Sequence, residues 1–316
     1  MKPWMIIGAV LLLVGVTLFL WAMSSCSWDL SRLSTVKLVS NTHKITEDFT
    51  GISIVTDVSD IAILPSEDGK CRVECCEMEK AVHSVAVEDG VLNITNRDER
   101  KWYERIGINF STPKITVYLA ETEYAYLCVK ETTGDVLIDK AFTFESIELT
   151  TTTGDIKSMA SSAGNVKIKA STGDVMLEGI SAGSLDVTVT TGCIKISSAV
   201  VENDITLGIS TGSIKLADVE CGSLSSEGTT GDLRMKNVIA NGTLSVTRST
   251  GDVSFDGCDA SEIHVKTTTG DITGSLLSDK VFFAQATTGD VSVPKTTRGG
   301  KCELSATTGD IEIKIK

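Results

Sequence analysis

Apolar and polar residues alternate with a period of two along most of the chain, and the alternation restarts every 19 or 20 residues. Each restart is marked by a glycine that follows Thr and, in eight of ten copies, precedes Asp. The position two residues after this glycine is always aliphatic, and the position seven residues before it is always apolar. A period of two is typical of strands with one face turned inward, so each repeat predicts one strand before the Thr-Gly-Asp corner and one after it. The corner glycines are Gly134, Gly154, Gly173, Gly192, Gly212, Gly231, Gly251, Gly270, Gly289 and Gly309.

One repeat of this length cannot bury its own apolar face, whereas a stack of repeats can. In such a stack each strand pairs in parallel with its equivalent in the next repeat, about 4.8 Å away. The sequence therefore predicts an all-β fold, a parallel β-solenoid (β-helix) with about 19–20 residues per coil, regular over residues 131–316. Parallel crossovers are almost always right-handed, which predicts a right-handed coil.

Residues 36–130 keep the strand pattern but lose the regular spacing. Residues 52–55 and 60–64 indicate one degenerate coil, and Glu88-Asp89-Gly90 indicates a hairpin turn between two further strands. We interpret this region as irregular first coils with an antiparallel capping insertion. At the other end, residues 311–316 alternate isoleucine with charge, and charge on a terminal strand discourages edge-to-edge association.

The first 25 residues differ from the rest because no residue from Trp4 to Met23 is charged. A helix of about 20 residues spans the hydrocarbon core of a bilayer, so residues 1–25 predict a transmembrane helix or signal anchor, with residues 4–23 in the membrane. Lys2 and the amino terminus favour an inside amino terminus, with the rest of the chain outside. A cleaved signal peptide and a lipid anchor at Cys26 are the alternatives. All three place the solenoid outside the cytoplasm.

The net charge of −13, without a long basic stretch, argues against nucleic acid as a partner. One loop, residues 96–113, contrasts with this acidic background. It carries the candidate binding residues Arg97, Arg100, Lys101, Trp102, Tyr103 and Arg105. Basic and aromatic side chains together can grip an anionic polymer or a headgroup surface. The alternative is that the aromatic rings cover the end of the core and the charges are solvated.

Catalytic and metal signals are weak in the sequence. The three histidines, His43, His83 and His264, have no partner at metal-ligand spacing, and the cluster of Cys71, Cys75 and Cys76 divides between two strand faces. Lean coils leave little room for an active-site cleft such as that of the β-helix enzymes that act on polysaccharides. We therefore predict no enzyme activity and no catalytic, cofactor-binding or metal-ligating residue.

The Asp after each corner glycine is interpreted as a turn-former that accepts backbone N–H bonds. Ca²⁺ held between stacked carboxylates is the alternative. Cys193 and Ser213 replace Asp in two successive coils, which interrupts such a ladder of carboxylates.

The Thr-Thr-Gly-Asp-Val/Ile coils behind a single membrane helix resemble the DUF4097 family of adhesin-type proteins with β-strand repeats, from about Lys37 to the end of the chain. The resemblance implies a single-pass bacterial cell-membrane protein, with the solenoid outside, that acts as a non-enzymatic adhesin-like or structural module binding an envelope polymer or protein. The alternative is an accessory sensor or regulator of envelope stress working through a membrane partner. A polysaccharide-acting β-helix enzyme is a minor alternative.

Overall fold

The computed structural model describes residues 3–25, 27–28, 38–98 and 112–316. Helix α1 (Pro3–Ser25) begins the chain, and nearly all of its apolar side chains are exposed. Its segment Trp4–Ser25 has a mean hydropathy of 2.6 and is long enough to cross a membrane. This confirms the predicted apolar helix, and a membrane anchor and a signal sequence both fit it.

Strands make up most of the remaining described residues and belong to one continuous hydrogen-bonded system. They are β1 (Leu38–Lys44), β2 (Gly51–Val58), β3 (Asp60–Pro65), β4 (Arg72–Met78), β5 (Ala81–Glu88), β6 (Val91–Asp98), β7 (Lys114–Leu119), β8 (Glu123–Thr133), β9 (Val136–Ile138), β10 (Thr143–Thr153), β11 (Ile156–Ser158), β12 (Ser161–Ser162), β13 (Asn165–Thr172), β14 (Val175–Glu178), β15 (Ser181–Ala182), β16 (Ser184–Thr191), β17 (Ile194–Thr211), β18 (Ile214–Thr230), β19 (Leu233–Thr250), β20 (Val253–Thr269), β21 (Ile272–Leu276), β22 (Lys280–Thr288), β23 (Val291–Ser292), β24 (Gly300–Thr308) and β25 (Ile311–Ile315).

The strands on either side of each corner stack in parallel on the equivalent strands of neighbouring coils. Leu149, for example, pairs with Val129 on one side and with Ile168 on the other. The inward-facing side chains form continuous aliphatic ladders, and Cys302 is fully buried in one of them, as predicted. This parallel register confirms the β-solenoid.

Each coil has a third side that the sequence pattern did not predict. The residue six positions after the corner glycine has a left-handed backbone in five successive coils, and this turns the chain once more. The residues at this second corner are Gly179, Ser198, Asp218, Asn237 and Gly257. A short segment such as β12 or β15 then crosses to the next long strand, and it too pairs in parallel with its neighbours. The coil is therefore three-sided, and the expectation of two strands per coil was incomplete.

The stack does not follow chain order at either end. β24 pairs with β20 on one side and β22 on the other, and β25 likewise lies between β21 and β23. The last coil in the sequence is thus the second-to-last in space. The expectation that residues 311–316 form the terminal strand is wrong, although their isoleucines face inward as predicted. Among the described strands, β22 and β23 form that end.

The amino-terminal end repeats this arrangement. β2 and β3 lie between the coil of β8 and β9 and the strands β6 and β7. An antiparallel cap follows, in which β4 joins β7 to β1 and β5 pairs with β6 across the Asp89–Gly90 turn. A two-residue turn after Met78 leads from β4 into β5. The cap therefore extends both long sides of the solenoid.

Candidate functional site

The Asp side chains of the Thr-Gly-Asp corners bond to the backbone of the next coil, in a series that Cys193 and Ser213 interrupt. Asp155 N–H donates to Asp135 Oδ1 at 2.8 Å, and Asp174 N–H donates to Asp155 Oδ1 at 2.8 Å. Cys193 N–H donates to Asp174 in the same way. Each carboxylate thus accepts a backbone N–H from the next coil, so it stabilises stacking. The Ca²⁺ alternative stays a prediction.

Glycine at these corners is required by both backbone angle and space. Gly192 has a φ of +147°, and a Cβ there would collide with the carbonyl group of Gly173 in the neighbouring coil. The same close approach recurs along the column of corner glycines. Each of these predicted structural turn residues therefore packs against the carbonyl at the corner of a neighbouring coil, which leaves no room for a side chain.

Most of the predicted binding loop lies outside the described residues. Only Arg97 is described; it is exposed on β6, opposite Val82. Arg100, Lys101, Trp102, Tyr103 and Arg105 are not. The proposed grip of this loop on an anionic partner stays a prediction.

A groove of about 590 Å³ opens where the cap meets the first coils. Phe49 and Tyr124 stack at its base, with ring centroids 5.7 Å apart. Arg72 lies at the wall, 3.8 Å above the Tyr118 ring, and its guanidinium donates to Glu74 at 3.1 Å. Further charged groups of both signs line the rim, namely Lys44, Glu47, Asp48, Asp68, Lys70 and Glu121. An aromatic floor with a mixed-charge rim suits a polar ligand with apolar faces.

A buried polar network occupies the corner of the cap, directly above the first Thr-Gly-Asp corner. His83 Nδ1 lies 2.8 Å from Glu77 Oε2, and His83 Nε2 lies 2.9 Å from Thr56 Oγ1. Asn41 donates to Glu77 Oε1 at 2.6 Å, and the backbone N–H of His83 donates to Oε2 at 2.6 Å. Cys75 lies beside Glu77 on the inward face of β4. The donor atoms of Cys75, Glu77 and His83 are within 4.8 Å of one another.

A second buried carboxyl group follows in the next coil. Glu131 pairs with Thr56 in the β2–β8 ladder and with Thr151 in the β8–β10 ladder, so all three face the same side of the core. Burial raises the pKa of Glu131 to about 8, the Thr151 hydroxyl opposes this rise, and nearby Asp60 and Asp135 add to it. Neither carboxylate oxygen has a hydrogen-bond partner among the described residues. Glu131 is therefore neutral over much of the physiological pH range.

The same inward column carries a buried cation farther along the stack. Arg248 is 1% exposed and fills the space that Gly228 leaves by lacking a side chain. Its Nη2 donates to Ser226 at 2.9 Å, whereas Nε and Nη1 have no hydrogen-bond partner among the described residues. Burial lowers the pKa of Arg248 to about 10.

Sequence reasoning missed the network of Cys75, Glu77 and His83. The only signal was the i, i+2 spacing of Cys75 and Glu77. No histidine has a partner at metal-ligand spacing in the sequence, and His83 meets Glu77 only in the folded cap. The expectation of no metal-ligating residue stays a prediction. His264 is partly exposed between Glu262 and Glu303, as an outward position implies. His43 lies on β1, and its Nε2 is buried without a hydrogen-bond partner among the described residues.

The fold defines a class of protein in which an apolar amino-terminal helix precedes a capped parallel β-solenoid. The chain belongs to the DUF4097 family, whose model, described as Toastrack DUF4097, matches residues 49–208 and 199–316. A crystal structure of a "putative adhesin" from Parabacteroides distasonis is similar, with 17% identity, a TM-score of 0.50, and coverage of 75% of this chain and 97% of that one.

A second "putative adhesin", from Bacteroides fragilis, is 16% identical with a TM-score of 0.40, and the match covers 88% of this chain and 97% of that one. No curated protein matches the chain. At these identities the first likeness shows the shared fold.

Proposed function

We propose that the protein is a non-enzymatic binding module of the bacterial cell envelope, held at the membrane by α1 with its solenoid outside the cytoplasm. The groove between the cap and the first coils carries this proposal. It has a volume of about 590 Å³, and it combines stacked rings with charges of both signs. A polar polymer of the envelope fits this chemistry, with polysaccharide as the class to test first. The adhesin names of two similar structures agree with such a role.

Two exposed lysines allow the groove to be tested without disturbing the core. Lys44 and Lys70 line the rim, and both are exposed. The full-length protein, reconstituted in liposomes, is mixed with bacterial cell-wall polysaccharide and sedimented. Replacing both lysines by Ala should weaken binding by about tenfold, which corresponds to about 1.4 kcal/mol. Lys157 and Lys169, exposed on the regular coils, provide the matched double substitution, which should bind like the wild type.

Equal binding by the two double variants and the wild type would reject the groove as the binding site. A capture experiment with and without residues 1–25 separates this role from that of a sensor. A polymer captured by the solenoid alone supports the binding module. A protein captured only when α1 is present would instead favour the sensor that acts through a membrane partner.

A further inference from the structure

The strongest unassigned chemistry in the described residues is the cluster of Cys75, Glu77 and His83. The three residues are 0%, 1% and 6% exposed. The i, i+2 spacing puts Cys75 and Glu77 on the inward face of β4. The short turn after Met78 brings β5 back, so that His83 meets Glu77 across the corner. A thiol, a carboxylate and an imidazole therefore converge inside the cap, where burying charge without compensation is costly.

The hydrogen bonds around His83 hold the imidazole ring in place, and the tautomer of the ring decides what Nδ1 offers to Glu77. Ser59 Oγ donates to the carbonyl of Val58 at 2.6 Å, and Thr56 Oγ1 donates to Ser59 Oγ at 3.4 Å. The Thr56 hydroxyl lies 2.9 Å from His83 Nε2, and the direction of this hydrogen bond follows the tautomer of the imidazole. In the tautomer with its proton on Nε2, the lone pair of Nδ1 points at the Glu77 carboxylate 2.8 Å away. Two lone pairs at this distance repel unless a cation lies between them.

A proton or a metal ion can supply that positive charge. A proton would bridge Nδ1 and Oε2 and would leave the adjacent thiol of Cys75 unused. A divalent metal ion would use all three donor atoms. The supporting contacts are those of a ligating histidine and carboxylate, because Thr56 fixes the imidazole through Nε2 and Asn41 fixes the carboxylate through Oε1.

We propose that Cys75 Sγ, Glu77 Oε2 and His83 Nδ1 bind a divalent transition-metal ion of the zinc type, inside the cap of the solenoid. Thiolate, imidazole and carboxylate together suit Zn²⁺ and not the oxygen-preferring Ca²⁺ or Mg²⁺. Zinc ligands lie about 2.0–2.3 Å from the metal, so the three donor atoms, already within 4.8 Å of one another, need only small movements. Three protein ligands leave one tetrahedral position for water. The metal would tie β4 to β5, and so the two long sides of the cap to each other.

Metal uptake must release the proton of the Cys75 thiol, because the thiolate is the form that binds a metal ion. Binding is therefore coupled to pH, with weaker affinity at lower pH. Asn41 already orients the Glu77 carboxylate through Oε1.

The experiment uses the full-length chain in detergent under reducing conditions, stripped of metal with a chelator and dialysed. Titration with Zn²⁺ should show one ion bound per chain, and Co²⁺ should give tetrahedral visible bands together with a thiolate-to-cobalt charge-transfer band. Cys75→Ser should abolish the charge-transfer band. The matched control is Cys76→Ser, the next residue on the opposite strand face, which should keep the band and the affinity.

Thr56→Val tests the orienting contact and should weaken Zn²⁺ binding by about 10- to 100-fold while the charge-transfer band persists. Circular dichroism of each apo variant checks that the fold is intact, and Thr56→Val with Cys76→Ser carries the test if Cys75→Ser does not fold. Failure of the wild type to take up Zn²⁺ or Co²⁺ would overturn the proposal, and so would equal loss of the cobalt band in the Cys75 and Cys76 variants. Neither result bears on polymer binding in the groove.

Discussion

At the scale of single residues, the solenoid tolerates a few buried polar side chains in an otherwise aliphatic column. They lie in the column three residues before the corner, where other coils carry Ala170 or Val189; the buried polar members are Thr56, Glu131, Thr151, Arg248 and Thr267. A buried charge costs free energy unless it is paired or neutralised. Glu131 is neutralised by its raised pKa, and this makes its contribution to stability depend on pH.

Glu131→Gln should remove a pH dependence of the free energy of unfolding. The folded pKa of Glu131 is about 8, against an ordinary value of 4.5. Between these values the folded state holds a proton that the unfolded state has lost, so stability falls as pH rises, by about 1.4 kcal/mol per pH unit. Urea unfolding from pH 4 to 9 should show the wild type losing stability relative to the variant across this window, with equal slopes below it.

The matched control for that prediction is Glu148→Gln, on the outward face of the neighbouring strand β10. This exposed residue should leave the slope of the wild type unchanged. If the unfolding free energies of Glu131→Gln and the wild type change with pH in the same way from pH 4 to 9, Glu131 is ionised in the folded protein.

At the scale of the coil, replacing a glycine at the Thr-Gly-Asp corner should destabilise the protein far more than replacing a glycine at the second corner, because only the former is closely packed against the next coil. Gly192→Ala places a Cβ against the Gly173 carbonyl and forces a φ of +147° on Ala. Strain and overpacking together should lower the free energy of unfolding by roughly 3 kcal/mol or more. Gly179→Asn is the comparison, because its φ of +65° is accessible to Asn and a Cβ there meets no atom within 4 Å.

Chemical denaturation of both variants checks this prediction, and Gly179→Asn should cost less than about 1 kcal/mol. An equal loss of unfolding free energy in the two variants would mean that both corners accept a side chain equally well. That result would contradict the close packing of each corner glycine against the carbonyl of its neighbour.

The coil also shows which parts of the fold were readable from sequence. The corner was predictable because the same close approach demands glycine in every coil, so one residue type repeats. The second corner demands only a left-handed backbone, which Gly179, Ser198 and Asn237 each provide. Its residue types therefore vary, and no single residue type in the sequence marks the third side of the coil.

At the scale of the whole molecule, the spatial order of the coils was still harder to predict from the sequence. All coils have similar inward-facing aliphatic residues and the same corner. The local sequence of a coil therefore does not determine which other coil packs beside it. Nothing local in β24 distinguishes pairing with β20 from pairing with β22, and it does both. The network of Cys75, Glu77 and His83 was hidden for a similar reason, because its members meet only when β4 and β5 fold into the two sides of the cap.

The order of coils at the carboxyl end predicts an unusual order of local stability. β24 is bonded on both edges, to β20 and to β22, whereas β22 has β24 as its one ladder partner among the described strands. Opening β22 breaks one ladder, while opening β24 requires β22 to leave as well. Native-state hydrogen exchange should therefore show amides of residues 302–308 exchanging more slowly than amides of residues 281–288, although the former lie nearer the chain end.

Strand β16, in the middle of the stack with β13 and β17 on its edges, provides the internal reference for full protection. Only amides that donate to a neighbouring strand are compared, so the unpaired edge of β22 does not decide the result. Exchange that quickens steadily toward residue 316 would mean that the coils stack in chain order. Protection of residues 302–308 close to that of β16 would establish that the chain places its last coil inside the stack, where each of its edges is covered.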